Sequence, residues 1–293
     1  MTDVGIRADR KEALRQYAAE GLRPQTLLFT MLGHHVAGRD LAVASGTFIA
    51  ALEQLGVSTQ AARSTLARMV RRGHLRRHRV GRKAYFTLTG RLMTVLEEGA
   101  NRLFAPPVRV QPENVWTLLS FSIPEDQRAF RHNLRTALAW SGFGLLRNGL
   151  WIAPGDVDAT GMLDTLDLHE HVEVFVARPA PPTDLHRIVG EAWDLGVIAQ
   201  EYRDFLLRWG GDDWRAGTTA LAAQVRLLTE WQQILVDDPE LPVTYLPADW
   251  PALRAYELFR QRLEEIGDDA AAGFAEILDA LPPAELPAPE SAS

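Results

Sequence analysis

The stretch that decides the fold runs from Val57 to Leu88 and reads VSTQAARSTLARMVRRGHLRRHRVGRKAYFTL. Ser58 suits a helix N-cap, and Gly73 suits the position just beyond a helix C-terminus. Between them, the apolar residues fall on one face at helical spacing: Ala62, Leu66, Met69 and Val70. After Gly73 come two short β-prone runs joined by a turn that contains Gly81. The stretch therefore predicts an amphipathic helix followed by a basic hairpin.

Two further helices are predicted upstream of this stretch. PQTLLFTMLGHHV begins with Pro24, and SGTFIAALEQLG begins with Ser45. Three helices followed by a two-stranded hairpin form the winged variant of the helix-turn-helix. We therefore predict a winged-helix DNA-binding domain over 23–105, preceded by a tail or helix over 1–22. A last helix, TGRLMTVLEEGANRLF, would either pack on the first helix or pair two subunits.

The charge distribution indicates which partner this module binds. The 293 residues carry a formal net charge of −7, yet residues from Met1 to Phe104 sum to +9 and the remainder to −16. Between Gln54 and Leu96 lie ten basic residues and no acidic one. The alternative is a solvated basic face without a partner, but the position of the charge on a predicted helix and hairpin favours DNA.

The predicted recognition surface follows from the geometry of the major groove, which admits a helix with small, polar and cationic outward residues. On the helix, the candidate DNA-binding residues are Thr59, Gln60, Arg63, Ser64, Arg68 and Arg71. On the hairpin, where cations would follow phosphates or enter the minor groove, they are Arg77, Arg79, Arg82 and Lys83.

Beyond the basic module the composition changes, and all eight tryptophans lie there. Pro106, Pro107 and Pro112 mark a linker over 106–112. Over 113–180 the pattern predicts strand, helix, two strands, helix and strand, which is the ferredoxin-like order. A helical C-terminal domain is expected over 184–281 and a disordered tail over 282–293. The predicted fold class is thus multidomain, mainly α with α+β.

Several function classes are excluded by composition. The chain has no cysteine, which removes disulfides, thiol catalysis and thiolate metal sites. Neither a signal peptide nor an apolar run of membrane-spanning length is visible, so we expect a cytoplasmic protein that binds no membrane. We expect no catalytic residue, cofactor or metal site. The histidines of the basic module are expected to serve packing and phosphate contact: His34, His35, His74 and His78.

The chain resembles the PaaX family of bacterial transcriptional repressors over about Arg23 to Leu281. The resemblance rests on PQTLLFTMLG, the stretch from Gly56 to Thr89, EEGANRLF, VWTLLSFSIPE, the pairing of WSGFGLL with GLWIAP, WDL, YRDFLLRW and DPELPVTYLPADWP. It implies a homodimer that binds double-stranded DNA at an inverted-repeat operator. It also implies release by an acyl-CoA, phenylacetyl-CoA in the best-known members, and the fold derived above.

Two other functions remain open at this point. The middle domain of the family resembles small CRISPR-adaptation nucleases that carry an acidic metal ligand after the first strand, a position that Ser122 takes here. Glu125 and Asp126 are nearby but suit a helix N-terminus. The alternatives are therefore a metal-dependent nuclease and an architectural DNA-binding protein without an effector. The sequence assigns no residue to effector binding.

Overall fold

The computed structural model describes residues 23–107, 114–122, 134–135, 137–139, 141–147, 149–166 and 169–289. The chain is a multidomain α+β protein that divides into two compact units. The hairpin unit comprises the described residues of Tyr17–Ala105, Arg208–Gln232 and Leu258–Ser293. The central unit comprises the described residues of Pro106–Leu207 and Gln233–Glu257.

The hairpin unit begins with the four helices and the two hairpin strands that the sequence predicts, together with a short strand, Ala42–Ala44, that it did not predict. They are α1 (Pro24–His35), β1 (Ala42–Ala44), α2 (Ser45–Gln54), α3 (Thr59–Arg71), β2 (Leu75–Val80), β3 (Lys83–Leu88) and α4 (Gly90–Leu103). Pro24 occupies the first turn of α1, where its missing N–H costs no hydrogen bond. The predicted caps of α3 are confirmed, because Ser58 Oγ accepts the Ala61 amide at 3.3 Å and Gly73 has φ of +71°.

A four-stranded antiparallel sheet with the strand order β2-β3-β1-β8 completes this region. β2 and β3 form the hairpin, with Val80 opposite Lys83 and a two-residue turn whose Gly81 has φ of +60°. The fourth strand, β8 (Ala280–Leu281), comes from the far end of the chain and pairs with β1. Nothing in the local sequence pattern predicted this strand.

The sequence left open whether α4 packs on the first helix or pairs two subunits, and the structure shows how this helix packs. A Cβ added to Gly33 of α1 would lie 3.3 Å from Leu96 of α4, so the two helices are in close contact. Leu92 and Leu103 of α4 are fully buried. The helix therefore packs on α1 within the same chain, as one of the two predictions had it.

Three long helices fill most of the C-terminal third: α7 (Leu195–Gly210), α8 (Ala220–Asp237) and α9 (Ala252–Ile277). Each helix is divided, with one part in each unit. In the hairpin unit, Trp231 stacks on Phe259 at a centroid distance of 4.9 Å, and His35 stacks on Phe274 at 4.5 Å. The apolar residues of these helices that lie in the hairpin unit thus complete the core around α1 and α4.

The expected disordered tail from Pro282 is also corrected in its described part. After β8, a 3₁₀ turn at Pro283–Glu285 leads to Leu286, which packs with Tyr85 of β3, and the Pro287 carbonyl contacts His78. Polar composition and prolines suggested disorder, but the tertiary contacts hold this segment on the sheet.

The central unit is built on a second antiparallel sheet with the order β5-β6-β4-β7. Its strands are β4 (Trp116–Phe121), β5 (Gly144–Arg147), β6 (Leu150–Pro154) and β7 (Val172–Ala177). Residues 134–135 and 137–139 are helical, and α5 (Thr160–Leu166), a 3₁₀ turn (His169–His171) and α6 (Leu185–Ala192) follow. One core contains Leu119, Trp151 and Leu138, and another contains Trp116, Ile152 and Val189.

Candidate nucleic-acid interface

Helix α3 presents two chemically different faces. Ala62, Thr65, Leu66 and Met69 are buried against the rest of the hairpin unit. The exposed face carries the polar and cationic candidates Gln60, Arg63, Ser64, Arg68 and Arg71, together with the small Ala67. The amphipathic spacing read from the sequence therefore places five of the six helix candidates on one solvent-facing surface.

The sixth helix candidate, Thr59, has a different environment. It is half-buried at the first position of α3, and its hydroxyl donates a short hydrogen bond to the Glu53 carboxylate. Glu53 lies just outside the stretch without acidic residues, at the end of α2. The hydroxyl of Thr59 is thus already paired with a carboxylate in this structure.

The hairpin exposes all four of its cationic candidates: Arg77, Arg79, Arg82 and Lys83. Near the tip, Arg79 Nε donates to the carbonyl of Gly81 at 3.4 Å, which ties that side chain to the turn. Lys83 Nζ lies 2.7 Å from Asp279 Oδ2, and this hydrogen bond raises the pKa of Lys83. Lys83 of the hairpin is therefore paired with an acid from the far end of the chain.

The four histidines of this unit lie in different environments. His78 is buried, with Nδ1 2.9 Å from the Pro287 carbonyl and Nε2 3.1 Å from Thr87 Oγ1. Burial lowers the pKa of His35 to about 4, and it also lowers the pKa of His34 and His74. These last three side chains are uncharged at neutral pH, so they supply no positive charge to a phosphate.

The groups that a metal-dependent nuclease would need are not assembled in the described residues. Ser122 directly follows β4, and its amide donates to the carbonyl of His171 at 3.0 Å. Glu125 and Asp126 lie outside the described residues. Within the part of the chain that the structure describes, no group of three or more histidine or carboxylate side chains has metal-binding geometry. No helix among those same residues combines the length and apolarity needed to cross a bilayer.

Sequence reasoning missed the residues that support the hairpin from the other end of the chain. Asp279 contacts both Lys83 and Tyr85, and Pro287 contacts His78. An aspartate and a proline in a polar segment carry no signal for such contacts, because both residues are also common in solvated loops. The local sequence pattern also did not indicate a partner strand for β1.

The fold and this cationic surface together define a class: multidomain α+β proteins with an exposed basic helix and hairpin near the N-terminus. Three family models match successive parts of the chain: "PaaX-like protein" over 23–92, "PaaX protein central Cas2-like domain" over 109–189 and "PaaX-like protein C-terminal domain" over 193–276. The chain belongs to the PaaX family.

Two individual proteins illustrate the relationship. Transcriptional repressor PaaX of Escherichia coli (strain K12) is 24% identical over 282 residues, which cover 91% of this chain and 87% of that protein. Among solved structures, the uncharacterized protein Rv0674 from Mycobacterium tuberculosis superposes with a TM-score of 0.58 at 25% identity. That match covers 85% of this chain and 97% of Rv0674.

Proposed function

We propose that this protein is a transcriptional repressor that binds double-stranded operator DNA through its hairpin unit, with α3 as the recognition helix of a winged helix-turn-helix. The single observation that carries the proposal is the exposed cationic surface of α3 and the hairpin, two elements that contain no acidic residue of their own. The name of the E. coli relative, Transcriptional repressor PaaX, points to the same role.

The dimensions and chemistry of α3 suit the major groove. Thirteen residues give a helix about 20 Å long, which fits along a groove about 12 Å wide. Arg63 and Arg68 can each donate two hydrogen bonds to a guanine, and Gln60 can pair with an adenine. Ala67 leaves space for a thymine methyl group or for close approach of the sugar-phosphate backbone.

The hairpin would add affinity more than sequence selectivity. Arg77, Arg79 and Arg82 are exposed beside the Gly81 turn, where long cationic side chains can follow phosphates or enter a narrow minor groove. Each phosphate neutralised releases condensed counterions, so affinity would fall steeply as salt rises.

For the central unit we propose a ferredoxin-like domain that pairs two copies of the chain. Its order β5-β6-β4-β7 supports this assignment, with β7 at one edge. In β7, Val174, Phe175 and Val176 are 40%, 56% and 55% exposed, unusual values for three consecutive apolar residues on an edge strand. Antiparallel pairing with a second β7 would cover them, and it would bring Glu170 and Glu173 at the start of one strand towards Arg178 at the end of the other.

We propose further that an acyl-CoA, such as phenylacetyl-CoA, is the effector that releases the protein from DNA. An effector can release DNA only if it binds the non-DNA-binding arrangement more tightly, and a nearly complete switch needs a differential of about 5 kcal/mol. The thioester carries several negative charges on a flexible arm, so its site needs cationic side chains beside an apolar slot.

The test is a fluorescence-anisotropy titration of the purified chain against DNA from its own promoter region and against a scrambled duplex. We expect tighter binding to the promoter DNA, a steep loss of affinity with salt, and dissociation on addition of an acyl-CoA but not of the free acid. Equal affinity for both duplexes would contradict the repressor proposal. Unchanged binding with every acyl-CoA tried would contradict the effector assignment alone.

A further inference from the structure

The end of the chain forms a structured segment that the family matches do not include. Those matches end at 92, 189 and 276, whereas residues from Asp279 to Pro287 lie on the sheet of the hairpin unit. We call this segment, Asp279–Pro287, the C-terminal strap. Its contacts reach α2, β1, β2 and β3, and α2 and β2 in turn pack against the proposed recognition helix.

The backbone of the strap is held by hydrogen bonds to β1 and α2. The Ala44 amide donates to the Asp279 carbonyl at 2.8 Å, and β8 continues the sheet beyond β1. Thr47 in the first turn of α2 donates from Oγ1 to the Ile277 carbonyl at 2.9 Å and accepts the Asp279 amide at 2.9 Å. Thr47 is itself buried, so these hydrogen bonds satisfy polar atoms that water would not reach.

The Asp279 side chain then joins the strap to the hairpin. Its two carboxylate oxygens contact different residues of β3: Oδ2 lies 2.7 Å from Lys83 Nζ, and Oδ1 accepts the Tyr85 hydroxyl at 3.0 Å. The hydrogen bond from Lys83 lowers the pKa of Asp279. Because the pKa of Lys83 is raised and that of Asp279 is lowered, both groups are charged at neutral pH.

The remaining contacts of the strap involve residues of β1, β2 and β3 in the sheet of the hairpin unit. His78 of β2 contacts the Pro287 carbonyl at 2.9 Å, and His78 lies directly opposite Tyr85 in the strand register. Leu281 and Leu286 pack with Tyr85, Ala42 and Ala44 in a small apolar cluster. The strap therefore contacts both strands of the hairpin at the cross-strand pair His78 and Tyr85, and β3 also at Lys83.

We propose that the C-terminal strap is part of the DNA-binding apparatus, that it fixes the position of the hairpin, and that Asp279 is its main positioning residue. An isolated two-stranded hairpin is marginal in water, and β1 is only three residues long, so the hairpin depends on what covers it. The proposal rests on the proposed DNA-binding function for its effect on operator affinity. The positioning itself can be measured without DNA.

The first experiment is hydrogen exchange on the full-length chain and on a variant that ends at Leu278, both without DNA. We expect amides of 75–88 to exchange at least about tenfold faster in the truncated chain, while those of α8 keep their protection. Unchanged protection of the hairpin would overturn the proposal. This readout is independent of any operator, so a chain that binds no DNA would contradict the proposed function and leave this result standing.

The second experiment uses point variants, which avoid a general loss of folding. Asp279→Ala removes both contacts of the carboxylate, whereas Asp279→Asn keeps an acceptor for the Tyr85 hydroxyl but loses the charge. A positioning role predicts that the alanine variant binds operator about three- to tenfold more weakly and that the asparagine variant stays near wild type. If Asp279 only masked the charge of Lys83, both variants would bind DNA more tightly and to the same extent, which would overturn the proposal.

A matched control comes from the same unit. Asp269 on α9 is an exposed aspartate whose carboxylate lies 3.4 Å from Arg215. Asp269→Ala should change neither the hairpin exchange rates nor the operator affinity. Equal losses of hairpin protection in Asp269→Ala and Asp279→Ala would show a general destabilisation and refute a specific role for Asp279.

Discussion

The indole nitrogen of Trp231 donates a hydrogen bond to the carbonyl oxygen of Leu103 at 3.1 Å, across 128 positions of sequence. Trp231 is fully buried and also stacks on Phe259. The bond joins the end of α4 to α8, and so fastens the N-terminal helices to the C-terminal ones within the hairpin unit. Parts of α8 and α9 therefore pack with the N-terminal helices in one core of the hairpin unit.

Replacing Trp231 by phenylalanine should lower the free energy of unfolding by about 1–3 kcal/mol, because a buried carbonyl loses its donor and a cavity opens beside Phe259. Denaturant unfolding followed by circular dichroism measures the change. Trp214→Phe is the control, since Trp214 lies at a half-buried site next to Arg262 and should tolerate the smaller ring better. Equal losses in the two variants would contradict a special role for the bond to Leu103.

Alanine at Arg63 or Arg68 should weaken operator binding by about 1–3 kcal/mol where the side chain reads a base, and should reduce selectivity at that base pair. If the arginine contacts only a phosphate, the plot of log affinity against log salt concentration becomes less steep by about one unit of slope instead. Anisotropy titrations at several salt concentrations separate the two cases. Arg254→Ala, an exposed arginine of the central unit, should leave both quantities unchanged. Unaltered operator affinity in both α3 variants would refute α3 as the recognition helix.

Phe175→Glu should convert a dimer into monomers, because a charge would be buried in the strand pair that we propose for β7. Sedimentation velocity at micromolar concentration measures the mass. Leu207→Glu, at a still more exposed apolar position outside this strand, is the matched control and should leave the dimer intact. A Phe175→Glu chain that sediments as the wild type does would contradict the β7 interface.

Glu201 should make the stability of the protein depend on pH. Burial raises the pKa of Glu201 to about 7, with Asp237, Asp238 and Asp204 adding repulsion. Between about pH 4.3 and about pH 7 the folded state holds a proton that the unfolded state has lost, so the contribution of Glu201 to stability falls as pH rises through this range and is then constant. Glu201→Gln should be more stable than wild type by about 1–2 kcal/mol at pH 8, a figure reduced for solvent screening, and similar to it at pH 4.

Thermal unfolding between pH 4 and pH 8 measures this effect. Glu257→Gln, at an exposed glutamate of the same unit, serves as the control and should show no pH-dependent gain. A gap between Glu201→Gln and wild type that is the same at both pH values would contradict the assignment of the titration to Glu201.

Gly144→Ala should destabilise the central unit by about 1–3 kcal/mol or more, because a Cβ there would lie 2.7 Å from the Ala192 carbonyl oxygen and from the Trp193 ring. Backbone at that distance cannot yield without moving α6 away from β5. Gly190→Ala is the control within α6, where a Cβ meets no atom within 4 Å and alanine favours the helix. Chemical denaturation should show opposite signs for the two substitutions.

The sequence by itself determined the local structure of the candidate site. The apolar spacing of α3, the Ser58 cap, Gly73 beyond the helix and the Gly81 turn all act within a few residues, so their physics can be read from neighbouring positions. The same spacing placed Arg63, Arg68 and the other exposed α3 candidates on one face.

Only the tertiary structure determined which residues from the far end of the chain contact the hairpin and its sheet. The Lys83–Asp279 pair spans 196 positions, and the partner of β1 comes from β8. An edge strand accepts any segment that offers backbone hydrogen bonds and the right side-chain alternation, so neither partner is encoded locally. For the same reason, the local sequence did not predict that Asp279 pairs with Lys83 or that the strap is ordered. It also did not predict that the C-terminal helices are shared between two units.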